Sequence, residues 1–175
     1  MAGPEEDFIE IGGIQVSANF PVEFKWVTER LAIGGMVGTL KNMLALKNSG
    51  FTHVINLQAE FDDSKVGAQA GLEVLWLTIT EPIQELPAEL LEKGISFASQ
   101  ALANPTHKLY VHCLAGKNRA PIFAYTILRS MGRSRPDAIN TIRAVEPKAR
   151  LGEEHLLLVE EFLSSRSAGE LAGNQ

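Results

Sequence analysis

One short segment in the middle of the chain brings together a nucleophile, a glycine and an arginine. The segment reads His112-Cys113-Leu114-Ala115-Gly116-Lys117-Asn118-Arg119. A cysteine thiolate is a strong nucleophile, and a planar guanidinium can bind two oxygens of one phosphate at the same time. The spacing of Cys113 and Arg119 therefore predicts covalent phosphoryl chemistry, with Cys113 as the nucleophile and Arg119 as the phosphate clamp.

The residues on either side of this segment predict how it is positioned. Residues 108–112 have the pattern of a buried strand, and residues 119–131 are strongly apolar and predict a buried helix. Amides at the start of a helix attract anions, and Gly116 allows the connecting loop to turn tightly. We therefore expect a phosphate to be bound by the backbone of the loop, which consists of Leu114, Ala115, Gly116, Lys117, Asn118 and Arg119.

Strand and helix patterns alternate along the chain. Apolar runs predict strands over residues 30–33, 52–57, 73–79 and 108–112. Helical spacing predicts helices over residues 40–49, 87–102, 119–131, 138–145 and 155–162. Thr39 is the expected N-cap of the first of these helices, and Ser134 with Asp137 forms the expected cap of the fourth. The alternation predicts an α/β fold with a central, mostly parallel sheet flanked by helices.

The length and composition set limits on the organisation of the chain. A chain of 175 residues that is 45% apolar fits one domain, which we place at residues 8–163. We expect flexible termini at residues 1–7 and 164–175, because the first is acidic and the second is rich in Ser, Gly and Ala. The formal net charge of −5 argues against a general nucleic-acid-binding protein, so we expect no nucleic acid as a partner.

The cysteine and histidine content excludes several kinds of site. One cysteine allows no internal disulfide and no cysteine-rich metal site, and the four histidines lack metal-ligand spacing. We therefore expect no metal and no other cofactor. Residues 1–8 do not have the pattern of a signal peptide, and no run reaches the roughly 18 apolar residues of a membrane span. These features together lead us to expect a soluble cytoplasmic protein, which we take to be a monomer.

The segment that contains Cys113 also resembles a known signature. The pattern His112-Cys113-x5-Arg119 is similar to that of the cysteine-dependent protein tyrosine phosphatases, and the short chain resembles their dual-specificity branch. The resemblance implies a fold of that family and a two-step reaction. Cys113 would accept the phosphoryl group as a cysteinyl-phosphate, which water then hydrolyses, while a general acid protonates the leaving oxygen. It also implies that His112 supports the loop and does not react.

The general acid is less clearly marked than the nucleophile. The family places an Asp in a loop before the cysteine, and this chain has Glu81 in Thr80-Glu81-Pro82, 32 residues before Cys113. A glutamate can perform the same proton transfer. Asp62 and Asp63 are the alternative acids. A third possibility is that no dedicated acid exists, as in phosphatases that act on RNA 5′-triphosphates, which the pair Asn118-Arg119 resembles.

Ala120 departs from the family pattern. The family usually has Ser or Thr directly after the arginine, and this hydroxyl helps the thiolate to leave in the second step. The resemblance therefore implies slow hydrolysis of the phosphoenzyme, although Ala120-Pro121 is similar to the sequence of plant glucan phosphatases. An alternative function is a catalytically weak pseudophosphatase that binds phosphorylated partners.

Residues of the loop also bear on the substrate. Lys117 would add a cation near the bound phosphate, and Ala115-Gly116-Lys117 resembles phosphoinositide phosphatases, which often have a second basic residue where this chain has Leu114. Aromatic residues make up only 7% of the chain, which argues against a glucan. The expected substrate is a protein phosphorylated on Tyr, Ser or Thr, or a small phosphomonoester such as a singly phosphorylated phosphoinositide.

Overall fold

The computed structural model describes residues 8–11, 13–17 and 20–173. The arm predicted at residues 1–7 lies outside the described residues. The strands are β1 (Phe8–Ile11), β2 (Ile14–Ser17), β3 (Phe24–Trp26), β4 (Leu31–Gly34), β5 (His53–Gln58), β6 (Glu73–Ile79) and β7 (Leu109–His112). The helices are α1 (Leu40–Asn48), α2 (Ser64–Gln69), α3 (Ala88–Ala103), α4 (Arg119–Ser130), α5 (Arg135–Val145) and α6 (Glu153–Gly173).

The central sheet has five strands in the order β3-β4-β7-β5-β6. Strands β4, β7, β5 and β6 are parallel, and β3 pairs antiparallel with β4 at one edge. Every residue of β5 and β7 is buried, as expected for parallel strands that are covered on both faces. The prediction of an α/β fold with a mostly parallel sheet flanked by helices is therefore confirmed.

Two apolar clusters cover the sheet. The larger one includes Leu91 of α3, Phe123 of α4, Ile142 of α5 and Val159 of α6. The smaller one contains Met43 and Leu46 of α1 together with Phe51, Val54 and Tyr110. Because both clusters include side chains of β5 and β7, these two strands are held from either side, and the end of β7 is a rigid position for Cys113.

Helix α4 is the best buried helix of the fold. Ten of its residues, from Arg119 to Leu128, are buried. The helix ends where Gly132 adopts a φ of +91°. Such a helix can hold the residue at its first position in one place, because its own packing leaves it no freedom to shift.

The predicted helix caps are confirmed. Oγ1 of Thr39 accepts a hydrogen bond from the amide of Asn42 at 3.2 Å, and Oγ of Ser134 accepts one from the amide of Asp137 at 3.3 Å. With Ser134 as its cap, α5 begins at Arg135, three residues before the predicted start.

The sequence patterns did not reveal β1, β2, β3 or α2. Strands β1 and β2 form an antiparallel hairpin apart from the central sheet, and every residue of β2 is exposed. An exposed strand has no alternation of buried and exposed side chains, so it produces no periodic signal. Helix α6 continues to Gly173, through a segment whose composition suggested a frayed end. The domain boundaries at residues 8 and 163 stay a prediction.

Two kinds of feature are absent from the described residues. None of the helices in residues 8–11, 13–17 and 20–173 combines the length and apolar character that crossing a membrane requires. Within the same residues, no group of three or more His, Cys, Asp or Glu side chains could hold a metal ion.

Candidate active site

Cys113 follows β7, which lies between β4 and β5 in the sheet. Its side chain is 2% exposed, so the thiol lies at the bottom of the loop that follows. The amide of Gly116 donates a hydrogen bond to Sγ at 3.3 Å, and the amide of Cys113 donates one to the carbonyl of Gly34 at 3.3 Å. The sulfur thus already has one backbone donor directed at it.

Glycines allow the loop to lie directly on the strand end beside it. Gly116 has a φ of +71°, and a Cβ at this position would lie 2.6 Å from the carbonyl carbon of Gly34. A Cβ on Gly35 would lie 3.0 Å from the carbonyl oxygen of Leu114. That same oxygen accepts a hydrogen bond from the amide of Met36 at 3.0 Å. A side chain at position 116 would therefore push the loop off its support.

His112 fixes the loop from below. Its Nε2 lies 2.9 Å from Oδ2 of Asp63, and its Nδ1 lies 3.4 Å from the carbonyl oxygen of Cys113. The ring stacks on Tyr110, with ring centroids 5.6 Å apart. The hydroxyl of Tyr110 donates to the carbonyl of Gly35 at 2.6 Å. Burial raises the pKa of Tyr110 well above its usual value, and the charges of Cys113 and Asp63 add to this effect.

Arg119 is held by a carboxylate and by main-chain carbonyls. Its Nη1 donates to Oε2 of Glu60 at 2.8 Å, and its Nη2 lies 2.7 Å from Oε1 of the same residue. Nη1 also donates to the carbonyl of Ile79 at 2.9 Å. The side chain is 1% exposed, yet Nε has no hydrogen-bond partner within the described part of the chain. The guanidinium is therefore anchored on one side and keeps a buried donor free on the other.

The charges of Arg119 and Glu60 stabilise each other. Burial acts to lower the pKa of Arg119, but the hydrogen bonds and charge of Glu60, with smaller contributions from Cys113 and Glu81, raise the pKa overall. Burial acts to raise the pKa of Glu60, and the hydrogen bond from Arg119 outweighs it, so the pKa of Glu60 is lowered. Both groups are charged at neutral pH.

Glu81 lies above the same arginine. Its Oε2 is 3.6 Å from Nε of Arg119, which is too long for a hydrogen bond but close enough for attraction between the charges. Nδ2 of Asn118 donates to Oε1 at 2.9 Å and contacts Oε2 at 3.1 Å. The side chain of Glu81 is 40% exposed, so it is open to solvent. Asn118, Arg119 and Glu81 therefore form one contiguous group at the start of α4.

The sequence that forms this site matches the model of a known protein family. The model described as "Dual specificity phosphatase, catalytic domain" matches residues 36–163, which includes the whole segment from His112 to Arg119. This chain belongs to the dual-specificity phosphatase family. The comparison with curated proteins gave no match.

Solved structures share the fold of this dual-specificity phosphatase domain. A structure of PTPMT1 in complex with PI(5)P has 22% identity and a TM-score of 0.71, and the alignment covers 84% of this chain and 98% of that one. A structure of kinase associated phosphatase, with its catalytic cysteine replaced by serine, has 16% identity and a TM-score of 0.73, over 86% and 98% of the chains. Human DUSP28 has 19% identity and a TM-score of 0.68, over 84% and 98%. Membership of the family supports a cysteine-based phosphatase.

The two alternative acids lie in other surroundings within the phosphatase domain. The side chain of Asp63 is completely buried, where it contacts His112 and accepts a hydrogen bond from Nδ2 of Asn56 at 2.9 Å. Oδ1 of Asp62 accepts a hydrogen bond from the amide of Ser64 at the start of α2, at 2.9 Å. Asp63 therefore supports the loop from below, and Asp62 stabilises a turn.

Glu60 is the site residue that sequence reasoning missed. It follows the buried strand β5 by two positions, so a carboxylate close to the carboxyl end of a central strand was the available signal. The sequence also departs from the family pattern at Ala120, which follows Arg119 directly. Ala120 is fully buried directly after Arg119, so no hydroxyl is present at this position of the family domain.

Proposed function

We propose that this dual-specificity phosphatase hydrolyses phosphomonoesters through a cysteinyl-phosphate on Cys113. The observation that carries the proposal is the free Nε of Arg119 in a guanidinium that Glu60 holds by both terminal nitrogens. A buried donor without a partner costs about 1–3 kcal/mol. A phosphate oxygen above Cys113 would satisfy it, so the site is preorganised for an anion.

The first step transfers the phosphoryl group to sulfur. The amides of residues 114–119 and the guanidinium of Arg119 bind the phosphate oxygens, with the partial positive charge of the α4 N-terminus behind them. The Cys113 thiolate attacks phosphorus in line with the ester oxygen, and the bond from phosphorus to that oxygen breaks. The leaving oxygen takes a proton, so an alcohol departs and a cysteinyl-phosphate remains.

Glu81 is the group that we propose as the source of that proton. Its carboxyl group is held by Asn118 and lies close to Arg119, whose guanidinium contacts the phosphate in our scheme. Asp62 and Asp63 are less suited, because one caps a turn and the other is buried against His112. In the second step Glu81 would accept a proton from water while the water attacks phosphorus and the sulfur leaves as a thiolate.

The loop support is part of the same proposal. His112 and Asp63 form a buried pair directly below the loop, and His112 contacts the carbonyl oxygen of Cys113. We assign them a positioning role, in which they keep the amides of residues 114–118 aimed at the phosphate.

Several finer expectations belong to this proposal. The substrate is a phosphorylated protein or a small phosphomonoester, and the complex of PTPMT1 with PI(5)P is consistent with the second class. We further propose that the enzyme acts as a monomer in the cytoplasm, where a reducing environment keeps Cys113 as a thiol. The reaction scheme uses no metal and no cofactor.

The direct test is hydrolysis of p-nitrophenyl phosphate by the wild-type protein and by Cys113→Ser. The substitution should lower kcat by at least about 10³-fold, because a hydroxyl at this position is not ionised. Activity that survives in Cys113→Ser would exclude the cysteine mechanism.

A second candidate function is favoured by Ala120. Without a hydroxyl to help the sulfur leave, the protein could bind phosphorylated partners with negligible turnover. Wild-type protein that binds a phosphopeptide but hydrolyses no p-nitrophenyl phosphate would identify it as such a pseudophosphatase.

A further inference from the structure

A pocket of about 560 Å³ lies beside the catalytic loop and does not include Cys113, Arg119 or Glu81. One wall is the outer side of the loop, from Leu114 to Lys117, with the strand end at Gly34. The opposite wall comes from the hairpin of β1 and β2. The same four loop residues therefore border the proposed phosphate site and this pocket.

The hairpin wall is a feature of this chain beyond the matched family domain. The family model begins at residue 36, whereas Ile11, Ile14 and Val16 of the wall precede it. The hairpin contacts the body through Ile9, whose Cδ1 lies 2.9 Å from where a Cβ of Gly38 would be. An isolated two-stranded hairpin is only marginally stable in water, so contacts with the rest of the chain must help to hold it beside the loop.

The exposed side chains of both walls are aliphatic. Ile14 is 67% exposed on the hairpin, and Leu114 is 47% exposed on the loop. Met36 and Val16 also line the pocket, and Phe20 is the one aromatic side chain among the described residues of the lining. Contact between water and the apolar side chains around a concave space is unfavourable. Hydrocarbon that fills the space removes this apolar surface from water and so lowers the free energy.

Four charged side chains line the pocket, Glu23, Lys25, Lys117 and Glu146, and two of them form an ion pair. Nζ of Lys25 lies 2.5 Å from Oε2 of Glu146, so this part of the wall is neutral. Lys117 has no ion pair among residues 8–11, 13–17 and 20–173, and it lies on the loop that the pocket shares with the phosphate site. The volume is within the roughly 300–1,000 Å³ of small-molecule sites. Chain-like hydrocarbon suits this lining better than a peptide, whose backbone needs hydrogen-bond partners.

We propose that this pocket binds the aliphatic chain of an amphiphilic phosphomonoester whose phosphate lies on Cys113. The inference rests on the proposed phosphatase function and specifies its substrate class. The alcohol that leaves would carry the chain across the loop at Leu114 and into the space between the loop and the hairpin.

The test is a series of n-alkyl phosphates, from ethyl to octyl, assayed below their critical micelle concentrations. Each added methylene should raise kcat/KM by about threefold to fourfold until the pocket is filled, from about 0.8 kcal/mol per buried methylene. Ile14→Asp should lower the ratio of the octyl to the ethyl rate by about tenfold or more, because a carboxylate then lies in the wall. Val16→Asp provides a second variant if Ile14→Asp fails to fold.

The matched control is Leu171→Asp. Leu171 is 74% exposed near the end of α6 and does not line the pocket, so the same change of charge there should leave the octyl to ethyl ratio unchanged. A ratio that is close to one in the wild type, or that is equal in Ile14→Asp and Leu171→Asp, would overturn the inference. Hydrolysis of p-nitrophenyl phosphate in the same preparation separates this result from failure of the phosphatase function itself.

One other occupant of the pocket must be distinguished. Sedimentation of the wild type and Ile14→Asp would show whether a second copy of the chain covers the hairpin. A wild-type dimer that Ile14→Asp dissociates would assign the pocket to that copy and overturn the proposal, whereas the same monomer in both proteins supports it.

Discussion

Helix α4 carries an arginine paired with a glutamate near each of its ends, and the two pairs differ in one respect. Near the C-terminal end, Nε of Arg129 lies 2.7 Å from Oε1 of Glu160, and Nη2 donates to Oε2 at 2.7 Å. Nη1 donates to the carbonyl of Arg133 at 2.5 Å, so each nitrogen has a partner. At the N-terminal end, Glu60 binds both terminal nitrogens of Arg119, and Nε is left without a partner in the described residues.

In the proposed mechanism, this difference separates a structural ion pair at Arg129 from a phosphate-binding site at Arg119. Arg129 is partly exposed and links α4 to α6 through Glu160, which also accepts a hydrogen bond from Tyr125. The hydrogen bonds and charge of Glu160 raise the pKa of Arg129 above its usual value. Arg119 is more deeply buried and yet keeps a donor without a partner among the described residues, which a bound phosphate would satisfy in our proposal. Both arginines form an ion pair, and the two ends of α4 differ in the Nε donor: it has a partner in Arg129 and none among the described residues in Arg119.

Replacing each arginine with lysine should give the largest difference between the two ends of α4. Arg119→Lys should lower kcat for p-nitrophenyl phosphate by about 10²–10³-fold, because an ammonium cannot bind Glu60 and the phosphate with one planar group. Arg129→Lys should change kcat by less than about threefold and lower the free energy of unfolding by about 1 kcal/mol. Steady-state kinetics and urea titration of both variants are the measurements, and equal losses of kcat would remove the distinction.

The second prediction concerns the carboxylate above Arg119. Glu81→Gln should lower kcat for an alkyl phosphate by about 10²-fold and affect p-nitrophenyl phosphate far less, because an aryl oxide leaves without a proton. The variant keeps the size of the side chain and its contact with Asn118. Equal kcat of Glu81→Gln and the wild type on the alkyl ester would remove Glu81 from the mechanism.

The third prediction compares the two glutamates. Glu60→Gln should lower kcat/KM for p-nitrophenyl phosphate by about tenfold, because Arg119 loses the charge that orients it. Glu160→Gln should leave kcat/KM unchanged and lower the free energy of unfolding by about 1 kcal/mol. The two variants carry the same change of charge, each beside an arginine of α4, so an effect of Glu160→Gln on kcat/KM would contradict the division.

A smaller effect is expected when the missing hydroxyl is restored. Ala120→Ser should speed the hydrolysis of the cysteinyl-phosphate and raise kcat by about threefold, since a hydrogen bond to the departing thiolate lowers the barrier of that step. Pre-steady-state kinetics would show a smaller burst in the variant than in the wild type. An unchanged burst and an unchanged kcat would show that the second step does not limit turnover.

The smallest predicted effect uses the two tyrosines of the chain. Burial and the Glu160 carboxylate raise the pKa of Tyr125 to about 12, and burial raises the pKa of Tyr110 well above its usual value. Because the folded chain holds both protons more tightly, their contribution to stability is complete below about pH 10 and is lost as the pH rises from there. Phenolate absorbance of the folded protein should therefore show no ionisation near pH 10, and Tyr125→Phe should remove the step near pH 12. A tyrosine that ionises near pH 10 in the folded protein would contradict the burial of one of them.

The parts of the fold that the sequence predicted are its buried parts. Strands β5 and β7 and helix α4 begin and end within one residue of the predictions, because buried elements are continuous apolar runs. Strand β2 of the hairpin was missed because all of its side chains are exposed and carry no periodic pattern. The length of α6 was missed because its last turns lack an apolar stripe.

The residues of the candidate site also fall into those that the sequence could predict and those that it could not. Cys113 and Arg119 could be predicted because one strand, one loop and one helix hold them in consecutive positions. Glu60 could not, because it meets Arg119 across 59 residues of chain, and its neighbours Asp62 and Asp63 offered the same functional group. Only the turn after β5 decides which carboxylate faces the arginine, and sequence patterns do not specify that geometry.

Trapping the intermediate tests the central claim most directly. Wild-type protein mixed with p-nitrophenyl phosphate, quenched within the first turnover and digested, should show one added phosphoryl group on the peptide that contains Cys113. Slow hydrolysis in the presence of Ala120 should favour its accumulation. A quenched protein without this adduct, together with turnover that persists in Cys113→Ser, would contradict the account.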